Sequence, residues 1–555
     1  MPLLWVDAIC INQTSISERS HQVNLMRDIY QRSQETSVWL GSSLKSDRID
    51  PDINPGAADT DAFRLIRHFW ADRHCHDLSC FEKRMFKRLI YDESADFTAI
   101  WNSFEAFTTH SWWTRLWTVQ EVVLPRKVIF YCGASKITMR EVVAARQIII
   151  LHSTSCCRAA FDLLPKAKVR QIGYFFFRLD VIRSCLQPRL LNSLEIPRPV
   201  DFDTILRRFN NRVCKDPRDK IYGLLGLVRD VTETRILSDY SLAPFDVYIE
   251  AMRRILEISE GQLRTLTGLG LSSEAHNLGL LPSWTRNFAL HHADWLNEKE
   301  LHRLSSQVLY RACGSRRSND YRLSRIDGRF LRLQGICVGR LQRILSNPEC
   351  DPAVAPEVVR TLHHWAGQCR GQEDSGGSVS TEPFWRTVTA NASVSKSKAM
   401  TKSEDGHKKG RGQIAQQYRD RDYLSFLSTN DSWELLPEKD LYYLCKHGKH
   451  HLNEPNDRTS TDFSQFIFPI SVAISGRCMF KSTTGDLGLC YPEAREGDEI
   501  WVLYGSNVPF LLRRLSDASA KVPVHRFVSE CFYDGVMYGE ALGNPFYSRS
   551  DVILR

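Results

Sequence analysis

Asp7, Asn12 and Gln13 are the first side chains along the chain that could contact a ligand. They border or follow Leu3-Leu4-Trp5-Val6-Asp7-Ala8-Ile9, a short apolar run that reads as a buried strand. Asp7 and Cys10-Ile11-Asn12-Gln13 then fall at or beyond the strand's carboxyl end, where open α/β sheets bind ligands. The same side chain types also satisfy turn backbones, and both roles stay open. Glu18 stands three residues after Ser15, the spacing of a capping box, which gives it a structural role. Cys10 has no nearby base to form a nucleophilic dyad and is expected to be a small buried residue. His74, His76 and Cys80, and Cys445, His447, His450 and His451, have ligand chemistry without a paired Cys-x-x-Cys half. They read as surface histidines, so no metal site is expected. Vicinal Cys156-Cys157 is too short a link for an ordinary disulfide framework. No Walker loop, Gly-x-Gly-x-x-Gly or Gly-x-Ser-x-Gly element occurs, which argues against the common nucleotide-binding and hydrolase plans.

These residues need elements to hold them. After the first run, Val23, Met26 and Tyr30 repeat at helical spacing, predicting a helix near Glu18–Gln31. Ser37-Val38-Trp39-Leu40-Gly41 reads as a second strand ending in a glycine turn. Strand, helix and strand within about forty residues make a βαβ unit and hence a parallel sheet. Helical patterning resumes near Ala62, Trp112–Val123 reads as a helix stopped by Pro125, and Lys127–Gly133 reads as a strand. Asp216-Pro217-Arg218-Asp219 has the composition of a helix start. Residues 371–413, rich in Ser, Gly, Thr and Lys and without periodicity, read as a disordered linker. Past Phe463, apolar runs separated by Gly/Asp turns predict a small β-barrel or sandwich.

The 555 residues exceed one ordinary core. A hydrophobic fraction of 43% and a charged fraction of 25% are those of a globular chain. The net charge is +8, and Asn391–Gln413 alone carries six basic against two acidic residues. The excess therefore does not mark a folded nucleic-acid face, and no nucleic-acid partner is expected. Sixteen scattered cysteines without a secretory leader point to reduced thiols. Ile148–Leu151 and Tyr174–Phe177 are too short to span a bilayer, so no membrane insertion is expected.

The opening block Trp5-Val6-Asp7-Ala8-Ile9-Cys10-Ile11-Asn12-Gln13, with Glu18-Arg19, Gln22-Val23, Met26, Ile29-Tyr30 and Trp39-Leu40-Gly41, resembles the central signature of fungal heterokaryon-incompatibility (HET) domains. Arg115–Glu121, Asp216–Leu227, Leu281-Pro282-Ser283-Trp284 and the C-terminal Gly535–Leu542 resemble further blocks of large HET proteins. The resemblance implies a cytoplasmic module of non-self recognition leading to programmed cell death. Its partners would be other incompatibility or signalling proteins, or a second copy of the chain. The domain plan is then a HET domain over 1–140, a mostly helical region over 141–370, the linker over 371–413, and a C-terminal region over 414–555 with its β-rich module from about 463. In one respect the chain departs from the family, which opens with a strand upstream of the Asp-Ala-x-Cys-Ile-Asn-Gln block, so the HET domain reads as N-terminally truncated.

HET domains are similar in fold to Toll/interleukin-1-receptor (TIR) domains, which implies a TIR-like, flavodoxin-like parallel sheet. Some TIR domains cleave NAD with a helical glutamate four residues after a tryptophan. Trp117 and Glu121 have that spacing and would share one helix face. The analogy makes Glu121 the candidate catalytic carboxylate and Trp117 a candidate ligand contact, with NAD as substrate rather than cofactor. A salt-bridged helical glutamate, in a non-catalytic adaptor or a degenerate copy, is the alternative.

Overall fold

The computed structural model describes residues 3–42, 61, 63–83, 89–183, 185, 201–228, 236–259, 262–268, 279–290, 307–314, 325–347, 355–370, 382–390, 392–396, 413–417, 470–515 and 522–555. The chain divides into two compact units, Met1–Val247 with Phe288–Asp294, and Tyr248–Asn287 with Trp295–Arg555.

The first unit is α/β. Helix α1 (Ile16–Arg32) begins where Ser15 Oγ accepts the amide of Glu18 at 3.3 Å. The Glu18 carboxylate does not close a capping box on Ser15, but instead accepts the amide of Asn12 at 2.9 Å and ties the preceding loop to the helix. Strand β1 (Thr36–Trp39) pairs in parallel with β2 (Val128–Cys132), which pairs antiparallel with β3 (Ser135–Thr138). Between β1 and β2 lie α2 (Arg64–Trp70), α3 (Ala95–Thr109) and α4 (Thr118–Val123). Helices α5 (Met139–Thr154), α6 (Lys166–Arg183) and α7 (Asp219–Leu225) follow. The core is aromatic. Phe107, Trp113 and Phe130 are fully buried, with Trp113 stacked on Phe130 at 5.4 Å and meeting Phe107 edge-on at 5.3 Å.

The apolar run Trp5–Ile9 is not a strand. Asp7–Cys10 forms a helical turn, and the amides of Ile9 and Cys10 both donate to the Val6 carbonyl, at 3.0 and 2.8 Å. Asp7 Oδ1 accepts the amide of Ala8 at 2.7 Å. The amides of Ala8, Ile9 and Cys10 are thus satisfied within the turn itself. Leu3, Leu4 and Ile9 lie exposed, so the run buries little of the apolar surface that made it look like a core strand. Hydrophobicity without a clear period does not separate strand from helical turn.

The second unit is β-rich. Among the described residues, β4 (Phe330–Ile344), β5 (Glu499–Leu503), β6 (Phe510–Arg514), β7 (Val524–Glu530) and β8 (Arg549–Leu554) close a ring. β5–β6, β6–β7, β8–β4 and β4–β5 pair antiparallel, and β7–β8 pair in parallel. The long strand β4 begins far before residue 463, inside the stretch read from sequence as mostly helical. Its fifteen residues pair with β5 and β8 and also with Arg325–Asp327 and Cys478–Ser482, and at Gly335 it passes so close to β5 that a Cβ would sit 2.6 Å from the Val502 carbonyl.

The expected linker over 371–413 is corrected at its middle. Glu382–Val388 is a helix with Phe384 and Val388 buried, and Ala392–Lys396 pairs antiparallel with Gln413–Gln417. Arg386 bonds Asp534 at 2.9 Å, a long-range anchor that composition cannot reveal. The rest of that stretch lies outside the described residues.

Candidate functional site

Three sequence blocks about a hundred residues apart converge in the first unit on a cleft of about 580 Å³. The helical turn and α1 bring Asp7, Gln13 and Arg19. The entry to α4 brings Trp117, and the approach to α7 brings Asp216, Arg218 and Asp219. Tyr240 completes the wall.

Asp216 is the electrostatic hinge of this wall. Its carboxylate accepts Arg218 Nε and Nη2, both at 2.9 Å, and also bonds Arg19. Burial alone would raise this carboxyl, but the hydrogen bonds from Arg218 and Arg19 prevail and hold it at about 2. The Arg19 guanidinium lies 3.4 Å over the Tyr240 ring, a cation–π contact that fixes both side chains. Deeper in, Asp219 accepts Trp117 Nε1 at 3.0 Å and the Tyr240 hydroxyl. Burial raises its carboxyl, and these two hydrogen bonds offset only part of that. Burial and the adjoining Asp219 raise the Tyr240 hydroxyl in turn. Arg19, Lys215 and Arg218 face Asp7, Asp216 and Asp219, so charge at the cleft is balanced and patterned rather than of one sign.

Two glycines let α4 and α7 meet behind the cleft. Gln120 Nε2 donates to the Gly223 carbonyl at 2.9 Å. A Cβ on Gly226 would lie 2.5 Å from Gln120 Oε1. Lys220, buried on the same helix, donates to the carbonyls of Asn210 and Arg212 at 2.7 and 2.5 Å, and burial lowers its ammonium to about 8. These contacts hold the Asp216–Asp219 segment in place.

Of the residues singled out in the sequence, Asp7, Gln13 and Trp117 line the cleft. Asn12 and Glu121 are not among its lining residues. Asn12 Oδ1 accepts the amide and hydroxyl of Thr14 at 3.1 and 2.7 Å, a loop-stabilising turn. Glu121 Oε2 accepts the indole N–H of Trp112 at 2.9 Å. Burial raises the Glu121 carboxyl, the Trp112 bond opposes this, and the Asp7 charge adds to the rise. Cys10 is exposed, not buried. Arg19, Asp216, Arg218, Asp219 and Tyr240 were missed as site residues. The Asp-Pro-Arg-Asp block, read as a helix start, does lead into α7 at Asp219, with Asp216 Oδ1 accepting the amide of Arg218 at 3.1 Å, but the same carboxylate also serves the side chains of Arg19 and Arg218. The alternation of acid and base in that block was the available signal.

The histidine assignments also change. His74 is not an isolated surface group: its Nδ1 lies 3.4 Å from Cys157 Sγ, and its ring stacks on those of His76 and His152. Cys80 is buried outside that cluster. The group at Cys445, His447, His450 and His451 lies outside the described residues.

With this geometry in view, residues 1–121 match the family described as Heterokaryon incompatibility protein (HET). The chain thus carries a HET domain over these residues. It is also similar to heterokaryon incompatibility protein 6, OR allele, of Neurospora crassa, at 24% identity over 97% of this chain and 81% of that protein. No solved structure matches significantly. No helix among the described residues is long and apolar enough to cross a membrane.

Proposed function

We propose that this protein acts in fungal heterokaryon incompatibility, and that the cleft bounded by Asp7, Trp117, Asp216 and Tyr240 is where its HET domain engages the ligand that controls the response. One observation carries the assignment of the cleft. Blocks that resemble the HET signature, around Asp7, Trp117 and Asp216, are distant in sequence yet line one concave surface. Ligand sites are concave, with placed polar groups that fix orientation, and here Asp216, Arg218, Asp219 and Arg19 are such groups. We read the α/β unit as TIR-like, a reading supported by the parallel β1–β2 pair with helices in its crossover. The working compartment is the cytoplasm, and the partners are other incompatibility or signalling proteins.

The test is inducible expression in a filamentous fungus, scored for growth arrest and cell death. Asp219→Asn and Arg19→Ala should each reduce killing at least tenfold while accumulating as folded protein. Full killing by both variants at equal abundance would remove the cleft from the mechanism. The NAD-hydrolase alternative rests on Glu121, whose carboxylate is bonded to Trp112 and which is not among the residues that line the cleft. NAD consumption by purified protein that disappears in Glu121→Gln would favour that reading. Intact NAD would favour the non-catalytic adaptor.

A further inference from the structure

A second constellation in the first unit has no part in the cleft. The turn that follows α2 presents His74, and the C-terminal end of α5 presents His152. The next turn presents Cys156 and Cys157. One donor atom from each of these four residues lies within 4.8 Å of all the others.

The distances around Cys157 have a specific meaning. Its Sγ is 3.4 Å from His74 Nδ1, 3.7 Å from His152 Nδ1 and 3.8 Å from Cys156 Sγ. Zinc bonds of about 2.3 Å to sulfur and about 2.0–2.1 Å to nitrogen give tetrahedral edges of about 3.6 Å between sulfur and nitrogen and about 3.8 Å between two sulfurs. The three edges that meet at Cys157 match a tetrahedral N2S2 set, and the other three donor pairs lie within 4.8 Å. At 3.8 Å the two sulfurs are also well beyond the disulfide bond length of about 2.0 Å.

The supporting contacts fit the same reading. His152 Nε2 lies 3.0 Å from Asp72 Oδ1, the carboxylate–histidine pairing that leaves the other ring nitrogen to face a metal. Asp72 sits in the left-handed region at φ 57, in the turn that closes α2, which aims its carboxylate at the ring. The amide of Cys75 donates to Cys157 Sγ at 3.2 Å, which stabilises a thiolate. His152 and Cys157 are buried, so two of the four donors are already desolvated and oriented. His76 Nδ1 is 3.9 Å from Cys157 Sγ, but its ring stacks on His74 and lies outside the common cluster.

We propose that His74, His152, Cys156 and Cys157 bind one zinc ion in a closed tetrahedral site that clips the turn after α2 to the end of α5. Two thiolates balance the charge of the dication. All four positions are supplied by protein, so the site is structural rather than catalytic. Mixed thiolate and imidazole donors in tetrahedral array select zinc over magnesium or calcium.

The experiment measures metal in the purified full-length chain and then replaces it with cobalt(II), whose spectrum reports donor type and geometry. One equivalent of zinc per chain is expected. The cobalt form should show intense tetrahedral visible bands and a near-ultraviolet thiolate charge-transfer band. Cys157→Ser should abolish uptake. Cys156→Ala should roughly halve the charge-transfer band and weaken zinc binding at least tenfold. Because Cys156 is solvent-exposed, that variant decides the matter even if Cys157→Ser fails to fold. Exposed Cys10→Ser should leave both signals unchanged. Folded wild-type protein that takes up neither metal stoichiometrically, or a thiolate band that survives undiminished in Cys156→Ala, would overturn the assignment.

Discussion

Glu499 joins strands β4, β5 and β7 through its carboxylate. Its Oε2 lies 3.0 Å from both His525 Nε2 and Trp501 Nε1, and its Oε1 accepts Arg340 Nη2 at 3.0 Å. His525 is fully buried and Glu499 nearly so. The His525 hydrogen bond, reinforced by those from Trp501 and Arg340 against the cost of burial, holds the carboxyl at about 2. The folded value lies below the unfolded one of about 4.3, so the stabilisation is fully present above that value and is lost as pH falls toward 2. Glu499→Gln should therefore lower stability at pH 7 by about 1.5–3 kcal/mol, the range for a hydrogen bond to a charged group. Denaturant melts from pH 7 to pH 2 check this. The gap between wild type and variant should close below about pH 4, and a gap independent of pH would show that the charge contributes nothing.

At the scale of elements, the α4–α7 contact depends on a glycine. Gly226 has ordinary helical backbone angles, with φ −60, so conformational freedom is not why glycine stands there. Space is the reason, because the added Cβ would meet the buried Gln120 amide at 2.5 Å. Gln120 is bonded to Gly223 and has little room to retreat. Gly226→Ala should destabilise the protein by about 1–3 kcal/mol through overpacking, despite the better helix propensity of alanine. Thermal melting measures the loss. Unchanged or raised stability would mean that Gln120 swings aside freely.

At the scale of the whole molecule, the two compact units predict where each substitution is felt. Hydrogen exchange in Glu499→Gln should accelerate over the strands of the β-ring, and in Gly226→Ala over residues 115–124 and 216–227. Uniform acceleration in both variants would show a single cooperative structure. The sequence by itself determined what is encoded within a turn or a period. The Ser15 cap and 3.6-residue pattern specify α1, and the runs Ser37–Gly41 and Lys127–Gly133 mark the strands found at 36–39 and 128–132. The spelling of the HET blocks specified the family. Only the tertiary structure decided what depends on distant partners. Trp5–Ile9 could have been a strand, but the amides of Ala8, Ile9 and Cys10 bond within a helical turn. The Asp216 block is a helix start in the sequence and in the fold, and only the approach of Arg19 from 197 residues away makes it a wall of the cleft. His74 is an unremarkable surface histidine until Cys157, 83 residues on, comes within 3.4 Å. Local propensity acts through neighbours in sequence, whereas electrostatic partners and ligand geometry are set by how the chain closes on itself.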